Sequence, residues 1–168
     1  ASTDGNMRAA IAEKRRTKAA NPQELMYGDG AAAFIVGKDA GAAEVVCAKH
    51  ISVDFIEHYK VDTEEFDYHW EERWIRDEGY MKLVPRALEG LFAETGVATG
   101  DVNHFIMPCL IRRVGNMVAK AAGIPGDAIR DTMQAAMGEA GTAHALVMLA
   151  ATLEEAKPGE IIVIAGFG

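Results

Sequence analysis

Glu139 and His144 are the pair in this chain best placed to move a proton. Glu139 stands in the turn Gly138-Glu139-Ala140-Gly141, directly before an Ala-rich apolar run, and His144 lies just inside that run. Two readings of Glu139 stand side by side. It is a carboxylate that accepts the free N–H groups of a helix start, where the dipole lowers its pKa, or it is a general base. His144 is either a hydrogen-bonded core residue or an imidazole facing a pocket. Cys109 follows Pro108 at the end of a short apolar stretch and is a small buried residue or a group lining a site. Gly166 and Gly168 close the chain as Gly166-Phe167-Gly168. Such a loop either turns a strand or presents backbone N–H groups to an oxyanion. The other histidines, His50, His58, His69 and His104, show no zinc-like spacing, and His104 reads as structural, at the strand end away from Cys109.

Elements that would hold these residues follow from the pattern of apolar residues. His104–Met107 is a short strand bounded by Pro108. Arg113–Ala122 is an amphipathic helix with Val114, Met117, Val118 and Ala121 at helical spacing, closed by Gly123. Gly141–Ala156 is apolar nearly all round, so it must be buried on most faces, and it is too short to span a membrane. Lys157-Pro158-Gly159-Glu160 turns the chain into Ile161–Ala165, a continuous apolar strand of the kind covered on both faces. A helix buried between such sheets implies a layered α/β/α/β/α body.

Upstream, Gly28-Asp29-Gly30 leads into Ala31–Gly37, a tight turn entering a buried strand. Glu44–Ile51 is a further strand candidate. Tyr80–Glu94 is a helix with Leu83, Ala87, Leu88, Leu91 and Phe92 on one side. Residues 54–79 differ: acids such as Glu57, Glu71, Glu72, Asp77 and Glu78 alternate with Phe55, Tyr59, Tyr68, Trp70 and Trp74. Aromatic residues in an acidic stretch predict a pocket cover or a subunit contact rather than disorder. Residues 7–20 are basic and read as a solvated helix or loop, or as a contact to phosphates.

Composition limits the function classes. Hydrophobic residues at 49% and charged residues at 25% are those of an ordinary globular domain. A net charge of -8 excludes a nucleic-acid partner, which would want a basic face. No apolar run reaches membrane-spanning length. Cys47 and Cys109 are too few for a disulfide framework and fit free thiols in a cytoplasmic protein. A nucleotide-binding domain is disfavoured, because neither phosphate-loop signature is present.

Tyr27-Gly28-Asp29-Gly30-Ala31-Ala32, the strand-proline turn at Pro108, Gly138-x-x-Gly141 before an Ala-rich helix, Pro158-Gly159-Glu160 and Gly166-Phe167-Gly168 occur in that order. The ordered set resembles the thiolase superfamily, in the branch of β-ketoacyl-acyl-carrier-protein synthase III and 3-hydroxy-3-methylglutaryl-CoA synthase. The resemblance covers Gln23–Gly37 and Val102–Gly168 well and the middle poorly. It implies a thiolase-like layered α/β/α/β/α fold, here mainly the C-terminal βαβαβ half. Residues 1–39 would be the tail of the first half, and 44–168 the second half with an acidic aromatic insertion at 54–79.

The resemblance also implies an acyl-thioester condensing enzyme with Claisen-type carbon–carbon bond formation. Its substrates would be acyl-CoA or acyl carrier protein, with no cofactor bound permanently. The acylated cysteine of the family would lie upstream of Ala1, so this chain alone would be inactive. It would need the missing half, a second copy or a heteromeric partner. Where the family has a histidine after the proline, this chain has Cys109. Where it has an asparagine after the glycine, this chain has Glu139. A thiol and a carboxylate do not supply the same hydrogen-bond donors, which puts ordinary decarboxylative condensation in question. Cys109, Glu139 and His144 would line the thioester pocket, Arg112 and Arg113 would meet the phosphopantetheine arm, and Gly166 and Gly168 would face the thioester oxyanion. The alternative is a non-catalytic thiolase-like subunit that shapes a partner's site.

Overall fold

The computed structural model describes residues 7–13, 25–59, 62–63 and 68–168 of the chain. Its centre is a parallel pair of strands, β5 (Val102–Ile106) and β6 (Ile161–Ile164), with Phe105 facing Val163 and Ile106 facing Ile164. Pairing continues one step further, because Ala165 N–H donates to the Ile106 carbonyl at 2.8 Å. Both strands therefore run out at the same end. Ligand sites of parallel α/β sheets form at that end, beyond the strand C-termini.

Three helices flank this pair: α1 (Met81–Thr95), α2 (Val114–Ala122) and α3 (His144–Glu155). In α1, Val84 and Leu88 are buried one helical turn apart, and Leu91 and Phe92 pack against the same core. The helix stops at Gly96, whose left-handed backbone (φ 69°) lets its N–H reach the Phe92 carbonyl at 2.9 Å. Val114 and Val118 of α2 are fully buried. The stripe His144, Met148, Thr152 buries one face of α3. The rest of α3 differs from the burial on most faces that its sequence predicts: Leu146, Val147 and Leu149 are only half-buried in this chain.

A six-residue π-helical stretch, Ile75–Tyr80, feeds α1. Its wider turn sets Gly79 and Tyr80 against Phe167 and Phe55. A Cβ at position 79 would fall 2.8 Å from both Phe167 Cζ and Phe55 Cζ, so only glycine lets the rings close in.

The N-terminal part differs from expectation in two places. Residues 7–13, read from sequence as part of a solvated helix or loop, form strand β1 (Met7–Glu13). It pairs antiparallel with β2 (Ala31–Gly37), Met7 opposite Gly37 and Glu13 opposite Ala31. Ala9–Ala12 is a short unbroken apolar run of strand length, and the basic residues that masked it lie mostly beyond Glu13. Glu44–Ile51, by contrast, is not a strand: it runs without ladder partners, and Val45 and Val46 are exposed. An apolar β-branched run becomes a strand only when an edge accepts its hydrogen bonds, and no described strand lies beside it. A two-residue hairpin of β3 (His58–Tyr59) and β4 (Tyr68–His69) completes the chain. Among the described residues no helix is long and apolar enough to cross a membrane.

Candidate functional site

Cys109 sits just beyond the C-terminal end of β5, and Gly166–Gly168 just beyond that of β6, so the parallel pairing delivers both to one edge. The Glu139 turn arrives there by a different route. Glu139 N–H donates to the Met26 carbonyl at 2.8 Å, and Gly28 N–H donates to the Glu139 carbonyl at 2.9 Å. Two glycines make this approach possible. A Cβ on Gly28 would lie 1.7 Å from the Met137 carbonyl oxygen, and one on Gly138 (φ 69°) would lie 2.8 Å from Gly28 N. The motifs Tyr27-Gly28 and Gly138-Glu139, far apart in sequence, are thus the two halves of one interlocked turn.

Cys109 is 8% exposed. Burial pushes its thiol up to about 11. The Tyr80 hydroxyl and the Ile111 backbone oppose that rise, and the carboxylates of Glu57 and Glu72 add to it. The thiol donates weakly to the Ile111 carbonyl at 3.6 Å. Its own carbonyl accepts from Gln134 Nε2 at 2.8 Å, which ties the strand end to the short helical turn Gln134–Met137. Tyr80, 7% exposed, lies in the same buried cluster as Cys109, and burial raises its phenol well above the usual range.

His144 is completely buried. Its Nδ1 accepts the Ala140 N–H at 3.2 Å, and its Nε2 lies 2.6 Å from the Thr132 carbonyl, to which it must donate. The ring is therefore a neutral Nε2–H tautomer that staples the Glu139 turn to the segment before Gln134. The Glu139 carboxylate accepts from the Gly141 N–H. Arg112 and Arg113 are exposed. Arg113 takes a left-handed backbone (φ 69°) immediately before α2. Gly166 has open space where a Cβ would sit, and Gly168 lies near the Glu57 carboxylate, 3.7 Å from a built Cβ to Oε1. His104 is toward the opposite end of β5, with Nε2 2.9 Å from Glu160 Oε2.

An open groove of about 460 Å³ runs beside this edge, lined by Met26, Leu110, Gln134, Met137 and Gly138 among others. On the other side lies a ladder of rings. Tyr80 packs on Phe167 (centroids 4.2 Å), Phe167 on Phe55 (5.7 Å), Phe55 stacks on Trp74 (4.4 Å), and Trp74 meets Trp70 (6.1 Å). The acidic aromatic segment thus reaches from the surface to the buried cluster that holds Tyr80 and Cys109. At its outer end Trp70 is 54% and Trp74 41% exposed on this chain. Among the described residues no group of acids, histidines and cysteines could hold a metal ion.

Tyr80, Gln134 and Glu57 were not legible as site residues. Tyr80 looks in sequence like the first residue of a helix, and nothing marks Gln134. The only signal for Glu57 and Tyr80 is the departure in composition of the segment that contains or abuts them.

No protein-family profile matches the chain. It is 29% identical over 146 residues to a hydroxymethylglutaryl-CoA synthase of Caldivirga maquilingensis, a match covering 86% of this chain and 42% of that protein. It is 29% identical over 147 residues to the enzyme of that name from Aeropyrum pernix, covering 86% of this chain and 40% of that protein. The chain therefore spans about two fifths of the length of these curated relatives. Among solved structures, 3-oxoacyl-(acyl carrier protein) synthase III from Pseudomonas aeruginosa superposes with a TM-score of 0.81 at 16% identity. That match covers 97% of this chain and 55% of the other. A hydroxymethylglutaryl-CoA synthase solved with CoA gives a TM-score of 0.69 at 12% identity, covering 94% of this chain and 45% of the other. The chain has the thiolase-like α/β fold, matches about half of full-length condensing enzymes in structure, and is a distant sequence relative of the hydroxymethylglutaryl-CoA synthases.

Proposed function

We propose that this chain is the C-terminal part of an acyl-thioester condensing enzyme of the 3-oxoacyl-acyl-carrier-protein synthase III or hydroxymethylglutaryl-CoA synthase kind. It forms one wall of the thioester site and receives an acyl group carried on a cysteine outside these residues. The observation that supports this most is the convergence of the Cys109 strand end, the Glu139 turn and the Gly166–Gly168 loop on one edge. These motifs stand in the order that the thiolase-superfamily resemblance leads one to expect. The division at 1–39 and 44–168 follows from the same reading. The groove beside Leu110 and Gln134 would take the pantetheine arm, with Arg112 and Arg113 at the surface toward its phosphates.

The nucleophile is assigned elsewhere on physical grounds. Reactive cysteines are activated by cations or helix N-termini that stabilise the thiolate. Cys109 has the reverse surroundings: it is buried, and the carboxylates of Glu57 and Glu72 raise its thiol further. Glu139 is the group able to accept a proton from a substrate α-carbon at this edge, and His144 positions its turn.

A second reading, a non-catalytic subunit that shapes a partner's site, draws on the His144 geometry, since both ring nitrogens are taken by backbone groups. The two readings part in one experiment. The complete polypeptide or complex that contains these residues is incubated with radiolabelled acetyl-CoA, digested and mapped by mass spectrometry. The enzyme reading expects an acetyl-cysteine on a peptide outside these residues and release of free CoA. No label on any peptide, with acetyl-CoA unconsumed, leaves the subunit reading. A label on Cys109 overturns the assignment of roles made here.

A further inference from the structure

The segment just before the Glu139 turn is held more firmly than a connecting loop requires. Met133 takes a left-handed backbone (φ 59°), which costs a non-glycine residue energy and persists only where its surroundings fix it. They do so here: the Met133 N–H donates to Asp131 Oδ1 at 2.7 Å, and the Thr132 carbonyl accepts from His144 Nε2 at 2.6 Å. The next residue, Gln134, is thus fixed at its backbone. Its side chain is fixed as well, since Nε2 donates to the Cys109 carbonyl at 2.8 Å. A carbonyl can only accept, so the nitrogen must be the end of the amide turned to Cys109. That is the one side-chain hydrogen bond Gln134 makes among the described residues, which leaves Oε1, an acceptor, for a ligand. Gln134 lines the groove of about 460 Å³ together with the apolar side chains of Leu25, Met26, Leu110 and Met137. Tyr27 also lines it, but its hydroxyl is engaged with His69 Nε2 at 2.8 Å. The groove therefore offers one preorganised acceptor in an apolar channel whose methionines adapt to irregular shapes. That suits a flexible, mostly aliphatic chain carrying an isolated N–H. A pantetheine arm is such a chain, with a secondary amide two carbons from its sulfur.

We propose that Gln134 is the specificity residue of this groove: its Oε1 accepts the amide N–H of the pantetheine arm nearest the sulfur, while Nε2 keeps its bond to the Cys109 carbonyl. The contact sets how far the arm enters and so places the sulfur at the edge where Cys109 and the Glu139 turn meet. This inference rests on the acyl-thioester reading of the preceding subsection and adds the residue that recognises the arm.

The test uses the complete protein that contains this chain and compares two ligands by titration calorimetry. One is coenzyme A. The other is its analogue with an ester oxygen in place of the N–H nearest the sulfur. The same pair is carried on acyl carrier protein where only that form binds. The native protein should bind the amide about tenfold more tightly than the ester, the difference expected for one hydrogen bond. Gln134→Leu removes the acceptor and the anchor together. A merely structural role would weaken both ligands alike, whereas a direct contact weakens the amide alone, so the variant should bind the two equally. Equal affinities in the native protein, or a preference that survives in Gln134→Leu, overturn the proposal and leave the thioester reading intact. No binding of coenzyme A or of the loaded carrier protein to the native protein overturns both. If Gln134→Leu does not fold, Gln134→Asn draws the amide back by one methylene. The preference must then shrink, and an unchanged one overturns the proposal.

Discussion

The environment of Cys109 makes a quantitative claim about its reactivity. Its thiol is raised from 9.0 to about 11, chiefly by burial. At pH 7.5 a thiol titrating at 9 is about 3% thiolate and one at 11 about 0.03%, and only the thiolate is nucleophilic, so ionisation alone slows Cys109 by about 100-fold. Its 8% exposure slows it further. The assay is alkylation by iodoacetamide with peptide mapping, comparing Cys109 with Cys47 in the folded chain and with both cysteines in denaturant. Cys47 is partly buried beside Lys49 and Glu94, and burial and Glu94 push its thiol up as well, so the denatured chain is the reference for both. Cys109 should react at least 100-fold more slowly folded than unfolded at pH 7.5, and its rate should climb as pH rises toward 11. Folded Cys109 reacting as fast as in denaturant at pH 7.5 would refute the electrostatic argument. It would return this thiol to the list of candidate nucleophiles.

Three further outcomes are expected. Because the folded pKa of Cys109 lies above its unfolded value, its contribution to stability is intact below pH 9 and is lost as pH rises toward 11; about 3 kcal/mol is at stake. Urea midpoints across that range should fall, and fall less in Cys109→Ala. Tyr80 is shifted in the same direction and adds to the loss at higher pH. His144→Phe keeps the volume but unpairs the Ala140 N–H and the Thr132 carbonyl, each costing about 1–3 kcal/mol. A urea midpoint equal to the native one would show that these bonds are not made. Gly28→Ala places a Cβ 1.7 Å from the Met137 carbonyl oxygen, so the Tyr27–Glu139 pairing must open, costing more than about 3 kcal/mol. Hydrogen exchange should show the loss of protection first at Gly28 and Glu139, and a protected pair would contradict the interlock.

How far the sequence carried this picture depends on which force shapes each element. β5, β6 and the helices between them were legible because their apolar periodicity is read out by local burial: Val114 and Val118 recur at helical spacing, and Ile161–Ile164 is an unbroken β-branched run. Cys109, Glu139 and the Gly166–Gly168 loop were found through motif order, and parallel strand pairing places them at one edge. Residues 44–51 were misread because β-propensity is satisfied only by a neighbouring edge, which lies outside what a local window reports. Strand β1 was missed because charge beyond Glu13 dominated the window. Tyr80 was not legible because its place arises from tertiary packing: a π-turn, a missing Cβ at Gly79 and the ring of Phe167 coincide to bury one phenol in the cluster that holds Cys109.

The charges that act on this edge assign it a kind of chemistry. Carboxylates push both buried groups the same way: Glu57 and Glu72 raise the Cys109 thiol, and Glu57 and Glu139, after burial and Cys109 itself, raise the Tyr80 phenol. Such a field suppresses anions formed here and keeps weak acids protonated. A wall of this kind keeps thiols and phenols neutral and is unsuited to generate a thiolate. The proposed division of labour follows: the nucleophile belongs to a segment with the opposite electrostatics. The ring ladder from Tyr80 to Trp70 gives that division a readout. Trp70 and Trp74 are half-exposed here, so if the acidic aromatic segment covers the assembled site, their fluorescence must shift to shorter wavelength in the complete protein relative to this chain. Identical emission from the two would place the ladder's outer end in water in both, and would remove the segment from the assembled interface.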